Sequence, residues 1–350
     1  MLPRERVLLA IEHKATDRAP ADYAAHQEVT DGLIARLGVA DVEELRQALG
    51  VDMRAVGCNY TQPDSAPDEK GHVVDMWGTA RPAPVALWEC HQPIYAFTQD
   101  TTLEEVHAHP WPDPAAIDCS AFAAECARYH DTYAVYGGPW CPFFHEVGWM
   151  IGQENLFMWM LIKPDVVQAI INHVVDYEIA VWRRALEAAH GMLDIMYVGN
   201  DFGTQRGLVM SPGLYERFYR QPLKRFFDIG HEYGCKVMQH SCGAIRDIIP
   251  MLIKDGVDIL DPLQVAATGM GFAGLVRDFG RRLTLHGGVD TQTLLPFGTA
   301  EEVREQLRSY RTLTQSGGFI LSGSQSYIED IPLDNILAIY DENMRLTQSA

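Results

Sequence analysis

The feature that most narrows the fold is an alternation running from residue 130 onward. A short apolar run ends in glycines or polar residues, and an amphipathic helical pattern follows. The runs at residues 133–136, 195–198, 236–239, 258–260, 283–286 and 319–321 read as strands. Helices are predicted over 165–189, 211–233, 244–254, 272–279, 300–315 and 332–346. Ser211-Pro212, and Thr299 followed by Glu301 and Glu302, are good helix starts. Strands alternating with helices of this length make βαβ units, and those build a parallel sheet. Two earlier runs, 19–23 and 52–56, bring the strand count to eight, enough to close a (β/α)8 barrel. The expectation is one barrel domain over 1–350, entered through an N-terminal helical segment. An open doubly wound sheet is the alternative, and the lack of Gly-x-Gly-x-x-Gly after any strand weakens its dinucleotide-binding version. Residues 71–97 break the alternation. There, 72–77 and 84–95 read as extended strands around a turn at 78–82, a β-hairpin excursion over one end of the barrel.

Charge removes some functions. The formal net charge is −19, whereas a nucleic-acid partner needs a basic surface. No apolar run approaches the ~20 residues of a membrane span. The opening Met1-Leu2-Pro3-Arg4-Glu5-Arg6 has no apolar signal core, so a cytoplasmic location is expected. The 7 cysteines show no framework spacing, so a disulfide scaffold is not expected.

In a (β/α)8 barrel, chemistry sits at the carboxyl ends of the strands. Five successive strand ends carry polar residues and glycines here: Gly199-Asn200-Asp201, His240-Ser241-Cys242-Gly243, Asp261-Pro262-Leu263-Gln264, His286-Gly287-Gly288-Val289-Asp290 and Ser322-Gly323-Ser324-Gln325. His240 and Cys242, two apart, can point the same way, and imidazole with thiolate suits zinc. The alternative is a neutral histidine beside an inert thiol. Asp201 and Asp290 are candidate acid/base or substrate-orienting carboxylates, although Asp290, before Thr291-Gln292-Thr293, could instead cap a helix. Gln205 and Arg206 could bind a carboxylate or lie on the surface. Tyr136 and Trp140, with Phe143 and Phe144, follow another strand end and read as either a pocket wall or core. Trp149, Phe157 and Trp159 fall on helical spacing and read as core.

These residues carry a resemblance. The chain resembles the uroporphyrinogen decarboxylase superfamily, which also contains methylcobamide-dependent methyltransferases. The matching stretches are Arg4-Glu5-Arg6-Val7 with Asp17-Arg18-Ala19-Pro20, then 199–206, 240–249, 256–260, 286–291 and 317–332. The resemblance implies a (β/α)8 barrel and a homodimer. The decarboxylases proper carry an arginine-rich segment that grips substrate carboxylates, whereas here the region reads Asp22-Tyr23-Ala24-Ala25-His26-Gln27. That departure argues against a porphyrinogen substrate. The zinc methyltransferase branch uses His-x-Cys and a later cysteine. His240 and Cys242 match the first part, while the later position falls on Gln325 and an acidic ligand position falls near Gln264. Zinc at His240 and Cys242 then needs a further ligand from Asp201, Asp261 or Asp290.

The resemblance therefore implies a methyltransferase of a corrinoid-dependent system acting on a small molecule. His240, Asp201 and Asp290 would be catalytic, with Asn200, Gln205, Tyr136, Trp140, His286, Gln264 and Gln325 around the substrate. The chain has no Asp-x-His-x-x-Gly corrinoid motif, so methylcobalamin would arrive on a partner protein or free. The alternative is a carboxy-lyase in which Asp201, His240 or His286 protonates a carbanion-like intermediate. A non-catalytic binding protein is the third reading.

Overall fold

The computed structural model describes residues 1–348. Among them nine strands form: β1 (Met53–Gly57), β2 (His72–Val74), β3 (Ala80–Pro82), β4 (Ala134–Gly138), β5 (Ile195–Gly199), β6 (Lys236–His240), β7 (Ile259–Leu263), β8 (Thr284–Val289) and β9 (Phe319–Gly323). Seven make one all-parallel sheet in the order β1-β4-β5-β6-β7-β8-β9, with helices along the connections. The chain is thus a mixed α/β protein, as the alternation predicts. Among the described residues no helix is long and apolar enough to cross a membrane.

Side chains of a strand alternate between its two faces. On one face Met53, Ala134, Ile195, Met238, Ile259 and Ile320 form a buried apolar cluster with Val7 and Ile11 of the first helix, Pro3–Ile11. Both outer strands, β1 and β9, contribute to that one cluster, so the sheet is curled around it. Two residues further along the strands, the same face carries Tyr136, Tyr197, His240, Asp261, His286 and Ser322. An apolar layer therefore supports a polar one.

The run at 19–23 does not become an eighth strand. Ala21 makes an isolated parallel bridge to Leu321, on β9. Leu321 N–H donates to the Pro20 carbonyl (2.8 Å), Asp22 N–H to the Leu321 carbonyl (2.9 Å), and on the other side Asp52 N–H to the Ala21 carbonyl (2.8 Å). A regular ladder fails because Pro20 has no N–H and the Ala21 N–H goes to the Asp52 side chain at 2.8 Å. That carboxylate is fully buried. It also accepts from Arg6 Nη1 (2.6 Å) and from Arg18 Nη1 (2.6 Å) and Nη2 (2.9 Å), clamping the first helix and the 17–22 segment to the root of β1.

Other departures are local. The hairpin is much smaller than expected: β2 and β3 pair antiparallel, and beyond them only Ala80 bridges to Ile94. The 84–95 stretch is not a strand, since Pro84 and Pro93 cannot donate to a ladder, and it holds one helical turn at Leu87–Glu89. The predicted helix over 211–233 divides into Pro212–Phe218 and Arg220–Glu232. The one over 244–254 becomes a turn, Arg246–Ile248, and a helix, Ile249–Asp255, with Pro250 in its first turn. Trp159 is core, but Trp149 is only half-buried and faces a cavity.

Removing one member of a buried ion cluster strands the rest without compensation. Asp52→Ala is expected to lower the unfolding free energy by about 3 kcal/mol or more in urea titrations. A loss under about 1 kcal/mol would show that the clamp is dispensable.

Candidate active site

The polar layer closes over a pit of about 110 Å³ lined by Asp22, Tyr136, Tyr197, His240, Asp261 and His286, with Gln325 at its edge. Sheet register sets its centre: His240 on β6 pairs with Asp261 on β7. Asp261 Oδ2 meets His240 Nδ1 at 2.8 Å and accepts from the Tyr197 hydroxyl at 2.5 Å. Its Oδ1 meets His286 Nδ1 at 2.6 Å. His286 Nε2 lies 3.2 Å from Asp22 Oδ2, which also accepts from the Tyr136 hydroxyl at 2.8 Å. The result is a buried chain, Asp22–His286–Asp261–His240, with a tyrosine on each carboxylate.

Burial alone would push the His286 imidazolium down, but Asp261 and Asp22 outweigh it and raise its pKa to about 10. His240 is likewise raised well above its ordinary value, burial being overcome by Asp201 and Asp261. The Asp201 and Asp261 carboxyls are held below their usual range; burial opposes this, and the histidines prevail. The paired carboxylates therefore favour the charged form of both imidazoles.

The loop after β6 is fixed by its neighbours. Ser241 N–H donates to the Asp261 carbonyl (2.7 Å), Cys242 N–H to Asp201 Oδ1 (2.8 Å) and Gly243 N–H to Gln264 Oε1 (2.9 Å). Ser241 Oγ in turn accepts from Phe202 N–H (3.0 Å). Gly243 has φ +83°, and a Cβ there would strike the Gly203 backbone, so the turn needs glycine.

This loop brings three donors together: Asp201, His240 and Cys242 place ligand atoms within 4.8 Å of one another. Cys242 Sγ lies 3.4 Å and Asp201 Oδ1 3.3 Å from His240 Nε2. A tetrahedral zinc with ordinary bond lengths would set such pairs about 3.6 Å and about 3.4 Å apart. Asp261 and Tyr197 occupy the other imidazole nitrogen, the outer support that metal-bound histidines usually have. The donor set, its separations and the carboxylates around it are thus shaped and charged to hold a cation, so the residues present fit zinc.

The other expected residues divide. Gln325 Nε2 donates to Cys242 Sγ at 3.1 Å. Gln264 instead orders the Gly243 turn and accepts from Gln205 Nε2 (3.2 Å), so these amides support the loop. Asn200 Oδ1 accepts from Phe144 N–H (2.8 Å) and ties two strand-end loops together. Asp290 is not brought into the cluster. It accepts from Gln292 and Thr293 N–H and the Thr293 hydroxyl, serving its own turn. Tyr197, Asp22 and the bridging role of Asp261 went unforeseen. The signal was the period of two, each lying on the inward face of its run.

Trp140 stands edge-on to Tyr197 (5.0 Å) and His240 (5.1 Å). Its indole fills the space where a Cβ on Gly199 would be, within 2.1 Å. Beyond it opens a chamber of about 790 Å³, bounded by the loop after β1, the β2–β3 excursion and the helix Phe143–Ile151. In its wall Glu146 is buried, accepting from the Tyr60 hydroxyl at 2.8 Å. Burial, assisted by Asp75, raises its pKa to about 8 against the hydrogen bond from Tyr60.

With this geometry in place, comparisons with known proteins are informative. The family model described as uroporphyrinogen decarboxylase (URO-D) matches residues 103–344. The chain belongs to this family. A solved methyltransferase from Methanosarcina mazei is similar over 99% of each chain, with TM-score 0.63 and 16% sequence identity. That likeness concerns the fold. No curated protein sequence matches the chain. The family match covers β4 through β9 and so includes Asp201, His240, Cys242, Asp261 and His286.

Glu146 gives a pH signature. Its folded pKa, about 8, lies above the ordinary 4.5, so between these values the folded chain keeps a proton that the unfolded chain releases. Stability is therefore lost as pH rises through this window. Glu146→Gln is expected to flatten the fall in Tm across it, read by thermal scans. An unchanged slope would show that Glu146 ionises normally.

Proposed function

We propose that the chain is a methyltransferase of a corrinoid-dependent system, with Asp201, His240 and Cys242 holding a zinc ion at the mouth of the curled sheet. The observation that carries this reading is the convergence of carboxylate, imidazole and thiol at zinc-like separations, with Asp261 behind the imidazole. When bound, zinc would act as a Lewis acid with one coordination position open to a substrate heteroatom. The residues of the chain do the rest. Asp261 and Tyr197 fix the His240 ring. The Asp201 carboxylate offsets positive charge at the site. Gln325 lies against the Cys242 sulfur, where the resemblance puts a second cysteine. The methyl-group carrier would be a cobalamin on a separate corrinoid protein. The methyltransferase of similar fold supports this reading. We also read the sheet, with residues 20–22 standing as its eighth stave, as a (β/α)8 barrel.

A carboxy-lyase is the second reading, favoured by the upward push that Asp261 and its neighbours give the His240 and His286 imidazoles in the pit. Against a polycarboxylate substrate, no arginine or lysine is among the described residues that line the pit.

Three experiments test the proposal. Protein purified with zinc supplied is expected to hold ~1 ion per chain, and His240→Ala or Cys242→Ser to lose it with folding intact by circular dichroism. Gln325→Cys, assayed under reductant, adds a second thiolate and is expected to tighten zinc at least about tenfold in chelator competition. Zinc-loaded protein incubated with methylcobalamin and a panel of thiols and phenols is expected to bleach the cobalt–carbon absorbance. No metal in any variant sinks the zinc assignment. Bound zinc with an unchanged spectrum across the panel favours the lyase.

A further inference from the structure

The pit has room for only a few atoms, about 110 Å³, so a substrate larger than that must place its body elsewhere. The chamber beyond Trp140 is the adjoining space. His145 reaches from its wall to the metal-ligand cluster, its Nε2 accepting from Asp201 N–H at 3.2 Å. At about 790 Å³ it matches the pockets that enclose whole small molecules. Its walls carry Tyr60, Met76, Trp140 and Trp149. Among the described residues Arg81 is the one arginine or lysine in its lining; Nη2 is on Asp64 (2.5 Å) and Nε on the Val85 carbonyl (2.8 Å), and Nη1 is buried without a partner. Asp64, Asp75 and Glu146 add carboxyl groups. An anionic ligand would meet one guanidinium already paired with Asp64, beside two further carboxyl groups, whereas a small alkylammonium ion would leave most of the volume unfilled.

We infer that this chamber binds the uncharged aromatic body of the substrate, its ring between Trp140 and Trp149 and its polar substituent bonded to Glu146 and Tyr60. Methoxyarenes and phenols are the chemical class. The methyl-transfer reading enters only in deciding which atom reacts, and the binding claim stands apart from it. Aromatic walls favour a flat ring over an aliphatic one of equal size. Glu146, buried and carrying its proton up to a pH of about 8, can donate to an ether or hydroxyl oxygen at neutral pH.

Titration calorimetry and tryptophan fluorescence on the full chain test the inference, with 2-methoxyphenol as the probe. Saturable one-to-one binding is expected, with 4-methoxybenzoate and cyclohexyl methyl ether each weaker by about tenfold or more. Trp149→Ala is expected to weaken the phenol about tenfold, and Met76→Trp, which fills the space from another wall, to do the same. Glu146→Leu should weaken binding, and Glu146→Gln should restore it. Equal or tighter binding of the benzoate, no binding of the phenol, or affinity indifferent to both Trp149→Ala and Met76→Trp overturns the inference. Binding without methyl transfer would defeat the functional reading alone. Methyl transfer to or from thiols without arene binding would defeat this inference alone.

Discussion

The site depends on the Asp261 carboxylate. One oxygen holds His240 and Tyr197, and the other holds His286. Each partner sits on a different strand, so a single side chain sets the relative positions of β5, β6, β7 and β8 at their carboxyl ends. Burying such a charge is costly unless its lone pairs are met by donors, and here three donors meet them. The geometry is therefore strict. Displacing any one partner would leave a buried anion short of a donor, which ties the orientation of the His240 ring to the integrity of the sheet.

The sequence made the strand ends legible because glycine and polar residues interrupt apolar runs sharply there. Six of the strand candidates fall within a few residues of β4 through β9. His240, Cys242 and Asp201 were readable as metal-ligand chemistry, and their convergence is a matter of loop hydrogen bonds between β5 and β6. Tyr197 was hidden because one tyrosine within an apolar run looks like core. Asp22 was hidden because it belongs to a segment whose ladder is replaced by a side-chain contact from Asp52. Asp290 was overrated because a carboxylate at a strand end looks the same in sequence whether it faces a pocket or caps its own turn. Glu146 lies on an apolar helix, where only tertiary structure shows that the acid is enclosed.

Trp140 divides two environments that differ in charge and size. On one side lies a small pit of paired ions, and on the other a roomy, mostly apolar space. The indole can stand there because Gly199 has no side chain to oppose it. The two spaces thus offer different walls to a polar group and to an apolar one. Changes in the excursion hairpin can then alter what enters while the histidine–aspartate chain stays as it is.

Apart from the Ala21 contacts to Asp52, residues 20–24 take their backbone partners from Leu321 and Tyr327, and the Asp22 carbonyl accepts from the Tyr340 hydroxyl. Asp22 is also the far end of the carboxylate–imidazole chain in the pit. During synthesis these early residues leave the ribosome long before their partners exist. Contacts this distant along the chain close slowly, because loop entropy must be overcome first. Until β9 is made, Asp22 lacks its backbone anchor and His286 its second carboxylate. The pit is thus among the last parts of the molecule to mature, and a ribosome stalled before Leu321 would carry a nearly complete sheet around an unfinished centre.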